Sequence, residues 1–328
     1  MIREDFQFLS KEANTKIHGV RWMPDDGAVQ GVIQLVHGMQ EYIGRYEELA
    51  KFLTDRGFLV VGHDHLGHGQ SVQDRRNLGY FCKTKPSDVL VADIHQVTAI
   101  TKGAWPDLPY YIFGHSMGSY LLRKYLTIYS HDVDGAIICG TGSVPDIACK
   151  SGMLVCRMMA LFFGWHYRSS LVKKVAFGKP YAKFCMDGSA PENSWLCRDA
   201  ARVKKYYSDP LCTYDFTLNG YYGLFSTVSY DNQEKYVRQI RKELPLFIIS
   251  GSEDPVGDAG VGVKRVCRQY KQAGLEDVTM KLYEGDRHEL VNEPDRDVVY
   301  ADMWEWITMR MRPQHLRGSQ EHDRAAKK

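Results

Sequence analysis

The chain of 328 residues is long enough for one large domain carrying an insertion, or for two modest ones. With 44% hydrophobic and 25% charged residues, it has the makeup of a globular protein that buries a sizeable core. Its 42 basic against 40 acidic side chains leave a net charge of +2, which excludes a global field for nucleic acid.

The eight cysteines form no C-x-x-C pair, and their spacing fits neither a zinc site nor a disulfide framework. They read as reduced thiols of a cytoplasmic protein, several of them in apolar runs such as AIIC at 136–139. The N-terminal MIREDFQFLS is charged and lacks the apolar stretch of a signal peptide. The longest apolar patch, 153–165, is interrupted by Arg157 and is too short to span a bilayer.

In chain order, GVIQLV at 31–36 reads as a strand ending at His37-Gly38. YEELAKFLTDR at 46–56 reads as a helix, with Gly57 in the stop position. A strand at 58–61, a helix at 89–102, a strand at 110–113, a helix at 119–129 and a strand at 135–139 follow. Such alternation predicts a mostly parallel central sheet with helices on both faces, an α/β fold. From 142 to 241 the rhythm breaks, with no clear buried strand but many aromatics, lysines and arginines. It resumes with a strand at 244–250, a helix at 261–273, a strand at 278–283 and a helix at 295–310. The expectation is a discontinuous core at 1–141 and 242–313, an inserted helical cap at 142–241, and a polar, disordered tail at 314–328.

Gly114-His115-Ser116-Met117-Gly118 matches G-x-S-x-G, and it sits between a predicted strand and a predicted helix. That context makes it a nucleophile elbow. A serine oxygen is exposed on a tight, strained bend, and a Cβ at Gly114 or Gly118 is expected to clash with neighbouring elements. The helix N-terminus then aims its free N–H groups at a developing oxyanion.

A serine hydroxyl becomes nucleophilic when an imidazole takes its proton. In the α/β-hydrolase fold the order is serine, acid, histidine. Of the twelve histidines, only 166, 288, 315 and 322 lie beyond the start of the insertion. His288 follows the last strand and precedes the final helix, which marks it as the base. The acid belongs at the C-terminal end of the 244–250 strand, where SGSEDPVGD offers Asp254, with Glu253 and Asp258 as neighbours that could be confused with it. Asp254 is the assignment. The backbone N–H of Met117 and that of Met39, in the loop after the first strand, are assigned to the oxyanion hole.

At these residues the chain resembles the monoacylglycerol lipases and bacterial lysophospholipases, a family also filed with serine aminopeptidases. VHGMQEYIGRYEELAKFLTDRGFLVVGHDHLGHGQS, GHSMGS, GSEDPV and GDRHEL carry the likeness in the right order. The resemblance implies an α/β-hydrolase core with a helical cap, hydrolysis of acyl esters without cofactor or metal, and the roles just given to Ser116, Asp254, His288, Met39 and Met117. Two positions depart from the family pattern. Tyr42 stands where a histidine is frequent, and Ser119 where glycine is common.

His63-Asp64-His65-Leu66-Gly67-His68 has metal-site spacing, but it carries Gly67 where a binuclear hydrolase needs an aspartate. The family reading treats it as a structural loop. Residues 147–186 contain no Asp or Glu but seven Lys or Arg, interleaved with Met153, Met158, Met159, Phe162 and Phe163. Two readings stay open. One is a cap helix with a solvated basic face. The other is a pocket entrance whose Met and Phe hold an acyl chain and whose charge favours peripheral contact with a membrane surface. An aminopeptidase using the same triad is the alternative. It needs acids for a substrate ammonium, which Asp187, Glu192, Asp199, Asp209 or Asp215 could supply.

Overall fold

The structure, a computed structural model, describes residues 1–311, so the expected tail at 314–328 lies outside the described residues. Eight strands form one sheet: β1 (Ile2–Leu9), β2 (Lys16–Met23), β3 (Gly31–Val36), β4 (Phe58–His63), β5 (Tyr110–His115), β6 (Gly135–Cys139), β7 (Leu246–Gly251) and β8 (Val278–Tyr283). Their order across the sheet is β1-β2-β4-β3-β5-β6-β7-β8. From β4 to β8 every neighbouring pair is parallel, while β1 and β2 are antiparallel additions at one edge.

β3 to β7 are buried along their whole length because both faces are covered, whereas β8 closes the sheet as a partly exposed edge. Alternate residues feed two separate cores. Val32, Leu59, Ile112, Ile138 and Ile248 point into one, and Ile33, Val60, Phe113, Ile137 and Ile249 into the other. The first core is closed by α2 (Pro86–Ala104), α3 (Met117–Tyr129) and α9 (Val261–Gln272), the second by α1 (Glu47–Thr54) and α10 (Arg296–Thr308). Gln34 is the polar residue in the middle of β3. It is buried in β3, but it accepts from the Thr98 and Tyr110 hydroxyls and donates to the Ile94 carbonyl, so burial leaves nothing unpaired.

β1 and β2 escape the sequence reading, which places the first strand at residue 31. IREDFQFL carries three charges and an exposed outer face, as an edge strand does. Between β6 and β7 lie α4 (Asp146–Phe163), α5 (Ser170–Ala176), α6 (Ala200–Ser208), α7 (Leu218–Asp231) and α8 (Glu234–Val237), and the region adds no strand to the sheet. α4 packs on α7, and α7 packs in turn on α2 and α3.

Candidate active site

β5 lies at the centre of the sheet, and its C-terminal end is the elbow. Ser116 has φ 54° and ψ −121°, a strained conformation for a side chain with a Cβ. α3 begins on the very next residue, two positions earlier than the sequence indicates. Both flanking glycines are sterically required. A Cβ on Gly118 would stand 2.1 Å from the Val36 carbonyl oxygen, and one on Gly114 2.6 Å from the carbonyl oxygen of Gly118. The Ser116 N–H donates to Cys139 at 3.0 Å, and the Ser119 hydroxyl donates to the Ser116 carbonyl at 2.6 Å. Ser119, one of the two departures from the family pattern, thus braces the bend.

His288 follows β8 and is buried, with its Nδ1 at 3.0 and 3.1 Å from the two oxygens of Asp254. A carboxylate only accepts, so the neutral ring carries its proton on Nδ1 and turns a lone pair outward at Nε2. Nε2 is buried and has no hydrogen-bond partner among the described residues. Asp254 is held by the Val256 N–H at 2.9 Å and the Ser250 hydroxyl at 3.1 Å. Asp258, its rival in the sequence, is exposed at the cavity wall.

Met39, His115, Ser116, Met117 and His288 line one cavity of about 580 Å³. The N–H groups of Met39 and Met117 have no backbone acceptor among the described residues. By contrast, the Gly38 N–H is taken by Glu41 at 2.5 Å.

Beneath this floor runs a buried ionic network that the sequence reading missed. Glu41 accepts from His115 Nδ1 at 2.9 Å, from the Tyr46 hydroxyl at 2.9 Å and from Arg45 at 2.9 Å. Arg45 also forms a two-pronged pair with Glu289 at 2.7 and 2.8 Å. His115 Nε2 faces the His288 carbonyl at 3.3 Å, so both of its ring nitrogens meet acceptors. Burial opposes charge on both Glu41 and His115. Their mutual hydrogen bond and attraction win, holding the carboxyl well below the usual range and raising the imidazole. Burial likewise opposes Glu289, and the adjacent Arg45 more than offsets it. The signal for this network lies in the charged neighbours of each motif: Glu41 and Arg45 four residues apart, and Glu289 next to His288.

The walls contributed by α4, α5 and α7 are mostly apolar, while Gln40, Ser143, Lys179, Asp258 and Arg265 add polar groups elsewhere around the cavity. Ala148 and Cys149 come from α4, Val175 and Ala176 from α5 with Phe177 just after it, and Tyr221, Leu224, Phe225 and Val228 from α7. The Met and Phe side chains of 153–165, offered by the sequence as acyl contacts, are not among the lining residues, and most of them face outward. This corrects that reading: α4 turns only its first turn toward the cavity. Tyr42, the other departure from the family pattern, donates to Asp209 at 2.9 Å and so ties the loop after β3 to the inserted region.

The histidine loop sits under the same floor. The His37 and His65 rings lie 4.2 Å apart, and those of His63 and His65 4.8 Å apart. His37 Nε2 accepts the His65 N–H at 3.0 Å, and His68 Nδ1 donates to the Leu66 carbonyl at 3.0 Å. Burial, reinforced by the neighbouring His37, pushes His63 and His68 down to about 3, so both rings are neutral. Asp286, Glu293 and Asp295 form an acidic cluster, and Arg198 reaches all three of them.

A parallel sheet whose central strand delivers a serine onto a glycine-flanked bend at a helix N-terminus defines a serine hydrolase of the α/β-hydrolase fold. The chain belongs to the family described as serine aminopeptidase, S33, whose profile matches residues 27–295. It is 27% identical over 306 residues to the monoacylglycerol lipase of Mycolicibacterium smegmatis, covering 91% of this chain and 96% of that protein. It is 27% identical over 295 residues to the monoglyceride lipase of Homo sapiens, covering 88% and 86%. A carboxyl esterase from Bacillus coagulans, solved in complex with glycerol, matches with a TM-score of 0.85 at 25% identity, over 94% of this chain and 98% of that one. The chain is a serine ester hydrolase.

Proposed function

We propose that the protein hydrolyses a monoacylglycerol, a lysophospholipid or a similar acyl ester through an acyl-enzyme. The observation that carries this is the cavity above Ser116, whose walls from the inserted helices are aliphatic and aromatic. The glycerol-ester lipases among the relatives point the same way. In this reading Ser116 Oγ attacks the ester carbonyl as its proton passes to His288 Nε2. Asp254 accepts the hydrogen bond from His288 Nδ1 and faces the imidazolium that forms. The Met39 and Met117 N–H groups receive the oxyanion. His288 then protonates the departing alcohol, and water repeats the sequence on the acyl group. Residues 142–241 act as the cap over the core formed by 1–141 and 242–313.

The aminopeptidase alternative needs carboxylates facing the substrate. None of Asp187, Glu192, Asp199, Asp209 and Asp215 lines the cavity. Of the acids that do, Glu41 and Glu289 are already paired with His115 and Arg45, which leaves Asp258, exposed at the wall, as the one lining carboxylate with no ion pair among the described residues. Turnover of monooleoylglycerol, lysophosphatidylcholine and an alanyl or prolyl anilide by the purified protein separates the two readings. The acyl esters are expected to exceed the anilide in kcat/KM by orders of magnitude. An anilide turned over as well as either ester contradicts the proposal.

The outer face of the cap supports docking on an anionic membrane by a cytoplasmic protein. Ile147, Leu154, Met158, Leu161, Phe162 and Phe163 of α4 are exposed, Leu161 and Phe162 by 77% and 79%, beside exposed Lys150 and Lys174. Among the described residues no helix is long and apolar enough to cross a membrane. The L161S/F162S variant is expected to lose sedimentation with phosphatidylglycerol vesicles while keeping turnover of soluble p-nitrophenyl butyrate. Undiminished vesicle binding by that variant would remove α4 from the docking face.

A further inference from the structure

One aromatic side chain of the cap sits directly on His288. The indole of Trp195 stacks on the imidazole, with ring centroids 4.9 Å apart and planes inclined by 29°. The contact is built in by the backbone. The His288 N–H donates to the Trp195 carbonyl at 3.4 Å, and the Glu289 N–H to the Leu196 carbonyl at 2.7 Å. Arg287 adds donations to the carbonyls of Glu192 and Ser194 at 3.1 and 2.5 Å. The backbone N–H and guanidinium of Arg198 both engage Glu293, at 3.0 and 3.1 Å. The loop bearing the imidazole and the strip bearing the indole are therefore one hydrogen-bonded unit. Phe177 and Tyr181 set their edges against the indole, with centroids at 6.1 and 5.3 Å, and fix its orientation.

When Ser116 Oγ bonds to the ester carbon, its O–H bond breaks and the proton goes to His288 Nε2, while the carbonyl electron pair moves onto oxygen. The imidazole becomes a cation in a site that is only 2% exposed. Asp254 faces its Nδ1 edge, but the flat face of the new cation lies against indole. An indole face attracts a cation within about 6 Å of its centroid, and the attraction strengthens when water is excluded. The neutral ring of the resting state gains far less, so the contact favours the transition state over the ground state.

We infer that Trp195 is a positioning residue that also stabilises the imidazolium form of His288 through its π face. The inference rests on the reading that His288 is the base for Ser116.

The test is a fluorination series at position 195, with 5-fluoro-, 5,7-difluoro- and tetrafluorotryptophan inserted site-specifically in the full chain. Fluorine withdraws the negative face of the ring with little change in its shape. The acylation rate with p-nitrophenyl butyrate should fall stepwise, about tenfold at the tetrafluoro residue, with KM unchanged. Trp195→Leu should lose at least as much, and Trp195→Phe less than Leu. A flat fluorination series alongside a slowed Trp195→Leu enzyme would make the indole a cavity wall only and overturn the inference. Undiminished fluorophosphonate labelling of Ser116→Ala would instead overturn the reading beneath it.

Discussion

Ser116→Ala and His288→Ala should each lower kcat for p-nitrophenyl butyrate by about a millionfold, and the double variant should fall no further. In the proposed mechanism the two groups act as one unit: the hydroxyl is inert without a proton acceptor, and the acceptor has nothing to activate without the hydroxyl. Additive losses would mean that the side chains act in separate steps. Ser116 and His288 line the same cavity, and His288 Nε2 is left without a hydrogen-bond partner among the described residues. The residual rate in the double variant should then measure the proposed Met39 and Met117 donors and substrate positioning.

Asp254→Asn should lower kcat by about ten-thousandfold while leaving the protein folded. The wild-type carboxylate accepts at both oxygens, from His288 Nδ1, the Val256 N–H and the Ser250 hydroxyl. An amide turns an NH₂ toward one of these donors. Where that donor is His288, the ring must shift its proton to Nε2, leaving no lone pair for Ser116. The buried mismatch should also cost about 1–3 kcal/mol of stability, measurable by chemical denaturation. Asp258→Asn is the control and should retain near wild-type turnover. The reverse pattern, with Asp258→Asn inactive and Asp254→Asn active, moves the acid to the exposed position.

The contrast between what these residues reveal in sequence and in space has a physical basis. β3 to β7 are legible because a strand buried on both faces is written as a continuous run of apolar, largely β-branched and aromatic residues, and the edge strand β8, VTMKLY, keeps enough of that pattern to be read. β1 is not legible: an edge strand needs only one apolar side, and its charges protect the edge. α2 starts at Pro86, three residues before the amphipathic pattern begins, because proline fits the first helical turn, whose N–H groups are unpaired in any case. The elbow and the acid and histidine loops are short motifs whose chemistry and spacing are local, so Ser116, Asp254 and His288 stand out in one dimension. In the Glu41–Arg45–Glu289 network the local spacing of the charges is visible, but the Arg45–Glu289 pair closes across 244 residues of chain, and no local pattern says that the two halves meet. The same holds for Trp195, whose partner is supplied by the fold. For the cap, the sequence shows which side chains are greasy but not which way they face. Only the packing of α4 on α7 decides that Cys149 looks inward and Phe162 outward.

In the proposed mechanism one serine, on one strained bend, is made nucleophilic by its surroundings. Peptide mapping after reaction with a fluorophosphonate tests it most directly. A single stoichiometric adduct is expected on the side chain of residue 116, forming slowly in His288→Ala and absent in Ser116→Ala. An adduct on any other residue, or equal labelling of the Ser116→Ala protein, would contradict it.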